Sequence, residues 1–278
     1  MSYKILCDSC CDLTPELKAR EEIISIPLTI NVGDKVVTDD ETFNQETFLK
    51  MVKESENCPK SSCPAPNDYL KYFKDADEIY IVTLSANLSG SYNSAKVASD
   101  MHFDDGHERA VHVFDSCSAS VGEMLLVKKI TELKESGASF DEVVEKTEKY
   151  KKEKKTKFIL ETLDTLRKNG RLTGIKAVLA EVLNIKPIME GTVGGKIEKV
   201  DQARGIAKGI IRLAEIIAND AYKPEERTLA ISHCNNYERA ETLKNLVEEK
   251  VKFKEVIIVD MGGISSLYAN DGGIIAAY

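Results

Sequence analysis

Over residues 3–136 short apolar runs alternate with amphipathic, helix-capable stretches, and this constrains the fold more than any other feature of the chain. Strands separated by helices cannot close as tight hairpins. Each needs a crossover, which gives βαβ units and a largely parallel sheet flanked by helices. Strands are predicted over 3–7, 24–32, 78–84 and 110–114. Thr14 with Pro15 opens one helix, because proline at the first helical position gives up only an orphaned N–H. Asn44 and Asn67 are read as caps of two more. Gly33-Asp34 between two apolar runs predicts a hairpin at an edge of the sheet. Ser139 and Glu142 have capping-box spacing and open a helix that ends in the basic run 149–157, KYKKEKKTK, which suits a solvated helix C-terminus.

After Lys155 the pattern changes. A short strand over 157–160 is followed by helices over 163–168, stopped by Gly170, and over 175–183. Runs 185–190 and 196–200 flank Gly194-Gly195 as a hairpin, and 203–219 is a helix with Ile206, Ile210, Leu213 and Ile217 on one face. Strands over 228–232 and 255–260, a helix over 237–249 and the apolar tail 273–278 complete a second α/β unit. With 278 residues the chain is near the size at which one core divides, so two α/β domains are expected, 1–155 and a mixed one over 156–278.

Charge and cysteine usage narrow the function. Lys and Arg total 38 against 46 Asp and Glu, a net charge of -8, so a nucleic-acid partner is not expected. The seven cysteines are an odd set, two of them adjacent, which reads as reduced thiols. With no apolar run near the ~20 residues that span a bilayer, and no signal-like start, the expected location is the cytoplasm.

The most informative segment is IVTLSANLSGSYNSA, residues 81–95. A strand ends, a hydroxyl-rich loop with Gly90 follows, and a helix begins whose first N–H groups lack internal partners and favour an anion. Ser85, Ser89 and Ser91 would either complete a cradle for a carboxylate or phosphate or simply cap the helix. Asp8-Ser9-Cys10 and Asp115-Ser116-Cys117 each follow a strand and so lie at the carboxyl edge of the sheet, where they would bind ligand or, more simply, tie loops. Cys7-x-x-Cys10 has redox or zinc spacing but lacks further ligands, and Cys7 ends a core strand, so no metal is expected. His102, His107, His112 and His233 match no nucleophile motif, and neither a Walker loop nor a nucleophile elbow is present. The residues favour binding over catalysis.

Taken in order, DSCCDL (8–13), SSCPAP (61–66), LSGSYNSA (88–95), FDS (114–116), NGRLTG (169–174), IKPI (185–188) and the stretch around Gly272-Gly273 resemble the DegV family of bacterial fatty-acid-binding proteins, which includes the binding subunits of fatty acid kinase. The resemblance spans nearly the whole chain. It implies two α/β domains around one long-chain fatty acid, no cofactor, no catalysis by the chain itself, and a kinase partner that forms acyl phosphate. It leaves room for transient contact with a membrane surface. SSCPAP is similar to the family's T-S-Q-P loop and LSGSY to its L-S-G-T-Y, so the implied head-group residues are Ser61 and Ser89, with Ser62 and Gly90 beside them. Hydroxyls and helix N–H groups can hold a carboxylate without a salt bridge. Arg204 matches a family arginine near the site opening, or else is a surface charge at the start of the helix from Ala203. Two positions depart from the family pattern: Cys63 replaces the glutamine, and Tyr268 stands where many relatives have a histidine. The alternative is an enzyme acting on a small carboxylate or phosphate, a hydrolase with Ser89 as nucleophile or a thiol redox protein using Cys7 and Cys10.

Overall fold

The computed structural model describes residues 2–104, 109–172 and 184–278. Strand β1 (Tyr3–Asp8) leads to α1 (Pro15–Lys18), where the Thr14 hydroxyl accepts from Leu17 N at 3.2 Å. The single strand expected over 24–32 is in fact two, β2 (Ile23–Ile26) and β3 (Thr29–Val32). Pro27 has no N–H for a ladder, and beyond it Leu28 N turns aside to donate to Ser9 Oγ at 3.0 Å. The break sends β3 into another sheet. With Gly33 at φ +60, β3 turns into β4 (Lys35–Thr38) and pairs on its other side with β5 (Lys60–Ser62). The predicted hairpin therefore lies in a separate three-stranded antiparallel sheet, not at the edge of the parallel one.

Asn44 Oδ1 caps α2 (Gln45–Glu54) by accepting from Thr47 N at 2.9 Å. Asn67 caps nothing, because Pro66 takes the first position of α3 (Pro66–Leu70) and Asp68 Oδ2 accepts from Ala65 N at 2.9 Å. β6 (Glu78–Thr83), α4 (Ser91–Asp104) and β7 (Ala110–Asp115) complete the parallel sheet, in the order β2-β1-β6-β7. Two helices follow, α5 (Val121–Glu135) and α6 (Phe140–Glu153), the latter opened by the Ser139–Glu142 capping box.

The second sheet is mixed. β8 (Thr156–Ile159) leads to α7 (Asp164–Lys168), which Gly170 terminates at φ +74. The helix expected over 175–183 lies outside the described residues. β9 (Ile185–Gly191) and β10 (Ile197–Arg204) form the Gly194-Gly195 hairpin. α8 (Ile206–Asp220) starts three residues later than expected, because the strand runs on to Arg204 and Gly205, at φ +83, makes the turn. β11 (Thr228–His233), α9 (Tyr237–Glu248), β12 (Glu255–Asp260), α10 (Gly263–Ala269) and β13 (Ile274–Ala277) give the order β10-β9-β8-β13-β11-β12, with β11 and β12 the parallel pair. The last strand is inserted between β8 and β11. No helix among the described residues is long and apolar enough to cross a membrane.

The chain passes from one sheet to the other between Glu153 and Thr156, yet the two share a core. Met124, Leu125, Val127 and Ile130 of α5 pack in one cluster with Ile5, Tyr80 and Phe114 of the parallel sheet and with Ala230, Val259 and Ala277 of the mixed one. Removing the fully buried Met124 side chain therefore loosens both sheets. Met124→Ala should lower stability by about 3 kcal/mol while unfolding stays a single transition by circular dichroism and by intrinsic fluorescence. Two separated transitions would show that the halves fold independently.

Candidate functional site

The site is built around the loop between β6 and α4. Its Leu84 N donates to Asp8 Oδ2 at 2.8 Å, and its Ala86 N donates to Asp115 Oδ1 at 3.2 Å. Asp8 ends β1 and Asp115 ends β7, the two neighbours of β6, so the loop is clamped from both sides. The other half of the chain adds a third hold: Ser85 Oγ donates to Gly195 O and Asn87 Nδ2 to Gly194 O, both at 2.7 Å. Gly195 has φ +76, and a Cβ there would overlap the Ser85 hydroxyl, so the hairpin turn can approach only as glycine. At the far end of the loop, Ser89 Oγ accepts from Ser91 N at 3.2 Å and lies 3.1 Å from Ser91 Oγ.

Beneath this loop is a cavity of about 830 Å³, open mouth included. It is narrow. Strand geometry fixes its direction. Thr156, Phe158 and Leu160 line it, alternate positions along β8 that span roughly 13 Å. Lys157 and Ile159 face the other way, and Ile159 packs in the core beneath α8. Ile275 of β13, which also lines it, is the register partner of Phe158. α10 lines the cavity with Ile264, Ser265, Tyr268 and Ala269, one helical face. Its first N–H groups are held by the buried Asp39, which accepts from Gly263 N at 2.6 Å and Ile264 N at 2.9 Å.

The walls are mostly apolar, but four polar side chains converge. Ser61 Oγ is 2.8 Å from Tyr268 OH, the Arg171 guanidinium lies 5.9 Å from the Tyr268 ring centroid, and Arg171 Nε donates to Leu88 O at 3.1 Å beside Ser89. Arg171 also donates through Nη1 to Asn169 O, and Nη2 makes no hydrogen bond among the described residues. Among the described residues lining the cavity it is the one charged side chain. At the opposite end of β8, Thr156 Oγ1 pairs with Ser118 Oγ at 2.8 Å. A wider groove elsewhere, lined by Asp12, Asp39, Asp40, Glu41, Glu46 and Asp260 against Lys18 and Lys71, is dominated by carboxylates. It would repel an anion, whereas the Arg171 cluster would attract one.

Comparison with known proteins identifies the family. The family model described as "Uncharacterised protein, DegV family" matches residues 2–277. This chain belongs to the DegV family. A DegV domain-containing protein of Streptococcus gordonii is 35% identical over 280 residues, 100% of this chain and 99% of the relative. The crystal structure of a DegV family protein from Ruminococcus gnavus, refined with vaccenic acid, superposes with a TM-score of 0.97 at 47% identity, covering 100% of this chain and 99% of that one. The Streptococcus pneumoniae fatty acid kinase (Fak) B3 protein loaded with linoleic acid gives a TM-score of 0.92 at 32% identity, with the same coverage.

Of the residues singled out in this DegV sequence, Ser61, Ser89 and Tyr268 meet at the cavity. Ser61 sits on β5, not in a loop. Ser62 follows it on the opposite, exposed side of the strand. Gly90 is exposed too, but a Cβ there would come within 2.9 Å of Cys63 Sγ, so it lets the two loops touch. Arg204 is exposed at the end of β10, neither on the helix nor among the cavity-lining residues. The cation at the cavity is Arg171, in the NGRLTG motif, where the motif alone gave no sign that its arginine faces Tyr268. Among the described residues the Ser89 hydroxyl bonds Ser91 and not His233, Asp8 or Asp115, so no base contacts it directly. The Cys10 and Cys11 thiols are buried among carboxylates, which raises their pKa values and works against a reactive thiolate.

Burial leaves a titration signature in the loops behind the site. Asp12 is pushed up to about 7 by desolvation, offset only in part by hydrogen bonds from Ser120, Gly262 N and Ser265. Its unfolded value is about 3.9, so the folded state binds the extra proton between those limits and stability falls as pH rises through that window. Asp12→Asn should flatten this decline, narrowing the loss between pH 5 and pH 8 by roughly 2–3 kcal/mol in urea titrations. An unchanged slope would mean that Asp12 is already ionised at pH 5.

Proposed function

We propose that this chain binds one long-chain fatty acid and does no chemistry on it. The carboxylate would be held by the Ser61 and Ser89 hydroxyls, with Tyr268 and Arg171 beside them, and the tail would run along β8 toward Thr156. The observation that carries the reading is the asymmetry of the cavity, a narrow, mostly apolar channel whose charged group lies with Ser61 and Ser89 at the Tyr268 end, while the Thr156 and Ser118 hydroxyls at the other end are paired with each other. A detergent-like molecule is matched end for end by such a channel. The vaccenic and linoleic acids held by two similar proteins support it. The similarity to the Fak B3 protein further supports a role as a cytoplasmic carrier that presents the carboxylate to a kinase partner for conversion to acyl phosphate. Hydroxyls that hand the head group over suit such a carrier.

Mass spectrometry of the gently denatured protein should release a C14 to C18 acid, and the stripped protein should take one up. Failure of both would end this reading. Ser89→Ala should weaken binding about ten- to hundredfold, because a buried anion loses a charge-assisted hydrogen bond, with folding almost unchanged. Ser61→Ala and Arg171→Gln should behave similarly. Ser94→Ala should matter little, since its hydroxyl meets only Cys63 Sγ, at 3.8 Å. Tyr268→His adds a group that is protonated near pH 6.5 and should tighten binding below that pH. Parent-like affinity in Ser89→Ala would displace the head group from this cluster.

A further inference from the structure

Behind Ser89 lies a pair of acids that the cavity does not account for. Glu123 of α5 is fully buried, and among the described residues no N–H or hydroxyl donates to its carboxylate, which faces only Asp8 and the Cys10 thiol. Asp8 is fully buried as well, and a carboxylate oxygen from each, with the Cys10 sulfur, lies within 4.8 Å of the others. Two carboxylates so close and so dry cannot both be ionised, so a proton is shared between them. Its position follows from the donors. Asp8 accepts from Leu84 N at 2.8 Å and Cys10 N at 3.1 Å, whereas Glu123 faces only the weakly donating Cys10 thiol and Asp8 itself, so Asp8 holds the charge and Glu123 the proton.

The pair is wired to the head-group cluster. The Ser91 hydroxyl faces Asp8, and Ser91 meets Ser89 both through its N–H and hydroxyl to hydroxyl. A carboxylate at Ser89 would thus be a second anion, two hydroxyls away from the first. The remaining titratable groups facing the pair offer little compensation. Cys7, Cys10 and Cys11 come from β1 and the loop after it, with Asp12 beyond them; Tyr69 from α3 also faces Ser91; and Lys154, ahead of β8, acts on Glu123 from a distance.

We propose that Asp8 and Glu123 are positioning residues whose shared-proton pair takes up a second proton, from solvent, when a fatty acid carboxylate binds at Ser89. This rests on the head-group reading above. The sign follows from like-charge repulsion. Burial already pushes Asp8 up to about 6, and a neighbouring anion raises it further. Below about pH 6 the pair is doubly protonated in the protein by itself and affinity is flat. Above that the dissociation constant rises with pH, by up to about tenfold per unit, until the pKa of the complex is passed.

The probe is dodecanoate kept below its micelle concentration, whose own carboxyl is ionised throughout because it titrates near pH 4–5. Calorimetry at pH 7.5 in two buffers of different ionisation enthalpy should register uptake of a fraction of a proton up to one, and affinity should fall between pH 6 and 8.5. Glu123→Gln, a neutral mimic of the protonated acid, should fold like the parent and keep the uptake. Asp8→Asn should abolish both the uptake and the pH dependence. A parent protein with no uptake and a flat profile, while Ser89→Ala still weakens binding, overturns the proton inference and leaves the head-group site standing. Uptake that persists in Asp8→Asn also overturns it by assigning the proton elsewhere. Ser89→Ala binding like the parent refutes the head-group reading itself.

Discussion

The structure depends on one helix being wanted by two sheets. α5 buries Val121, Met124, Leu126, Val127 and Ile130 completely, which requires apolar partners on both sides, and the parallel and mixed sheets provide them. With the sheets tied to a common helix, their carboxyl-edge loops must converge near its N-terminus. Ser120 there bonds Asp12 from the first half and Ser232 Oγ, at 2.7 Å, from the second. Ser118 bonds Thr156 across the same seam. The cavity is the space that these loops enclose, so its shape is a consequence of core packing and not of loop sequence alone.

Much of this was legible in the sequence, for identifiable reasons. Periodicity and caps are local: Thr14, Asn44, Ser139 and Gly170 act on groups within four residues, and each does what its spacing predicts. The misreadings needed non-local information. Pro27 was visible, but that the chain beyond it would leave the parallel sheet depended on Ser9 waiting to accept Leu28 N. α10 has no strong amphipathic signal, being buried on nearly every side, and its start is fixed by Asp39, more than 200 residues earlier. Arg171 and Arg204 illustrate the limit for sites. Both follow motif-like stretches, and only the packing of α7 against α10 decides which one meets Tyr268.

The carboxylates behind the cavity serve loops before they serve any ligand. Asp8, Asp39 and Asp115 each accept backbone N–H groups that strand ends and a short helix would otherwise leave orphaned, and that requirement by itself explains acids at three loop starts. Glu123 is different. It is fully buried in the first turn of α5, where it faces Asp8 and the Cys10 thiol and where leucine would carry no electrostatic cost. An ionisable side chain in such a place needs a reason tied to its neighbours, and the neighbour within reach is Asp8.

Hydroxyls that already bond each other also shape the energetics of the site. Ser61 pairs with Tyr268 and Ser89 with Ser91, so a carboxylate that accepts a hydrogen bond from one member of a pair exchanges a neutral hydrogen bond for a charged one instead of gaining a bond outright. The net gain per hydroxyl is then less than the full value of a charged bond, whereas deleting the hydroxyl leaves the buried anion short of a donor and costs more. Arg171 has the opposite character: two of its nitrogens are spent on backbone carbonyls that fix its position, and the third makes no hydrogen bond among the described residues. In the binding mode proposed above, long-range attraction and orientation would therefore fall to a preorganised cation, and release to partners that can turn back to each other. That division suits a site whose occupant must be withdrawn from water and later given up.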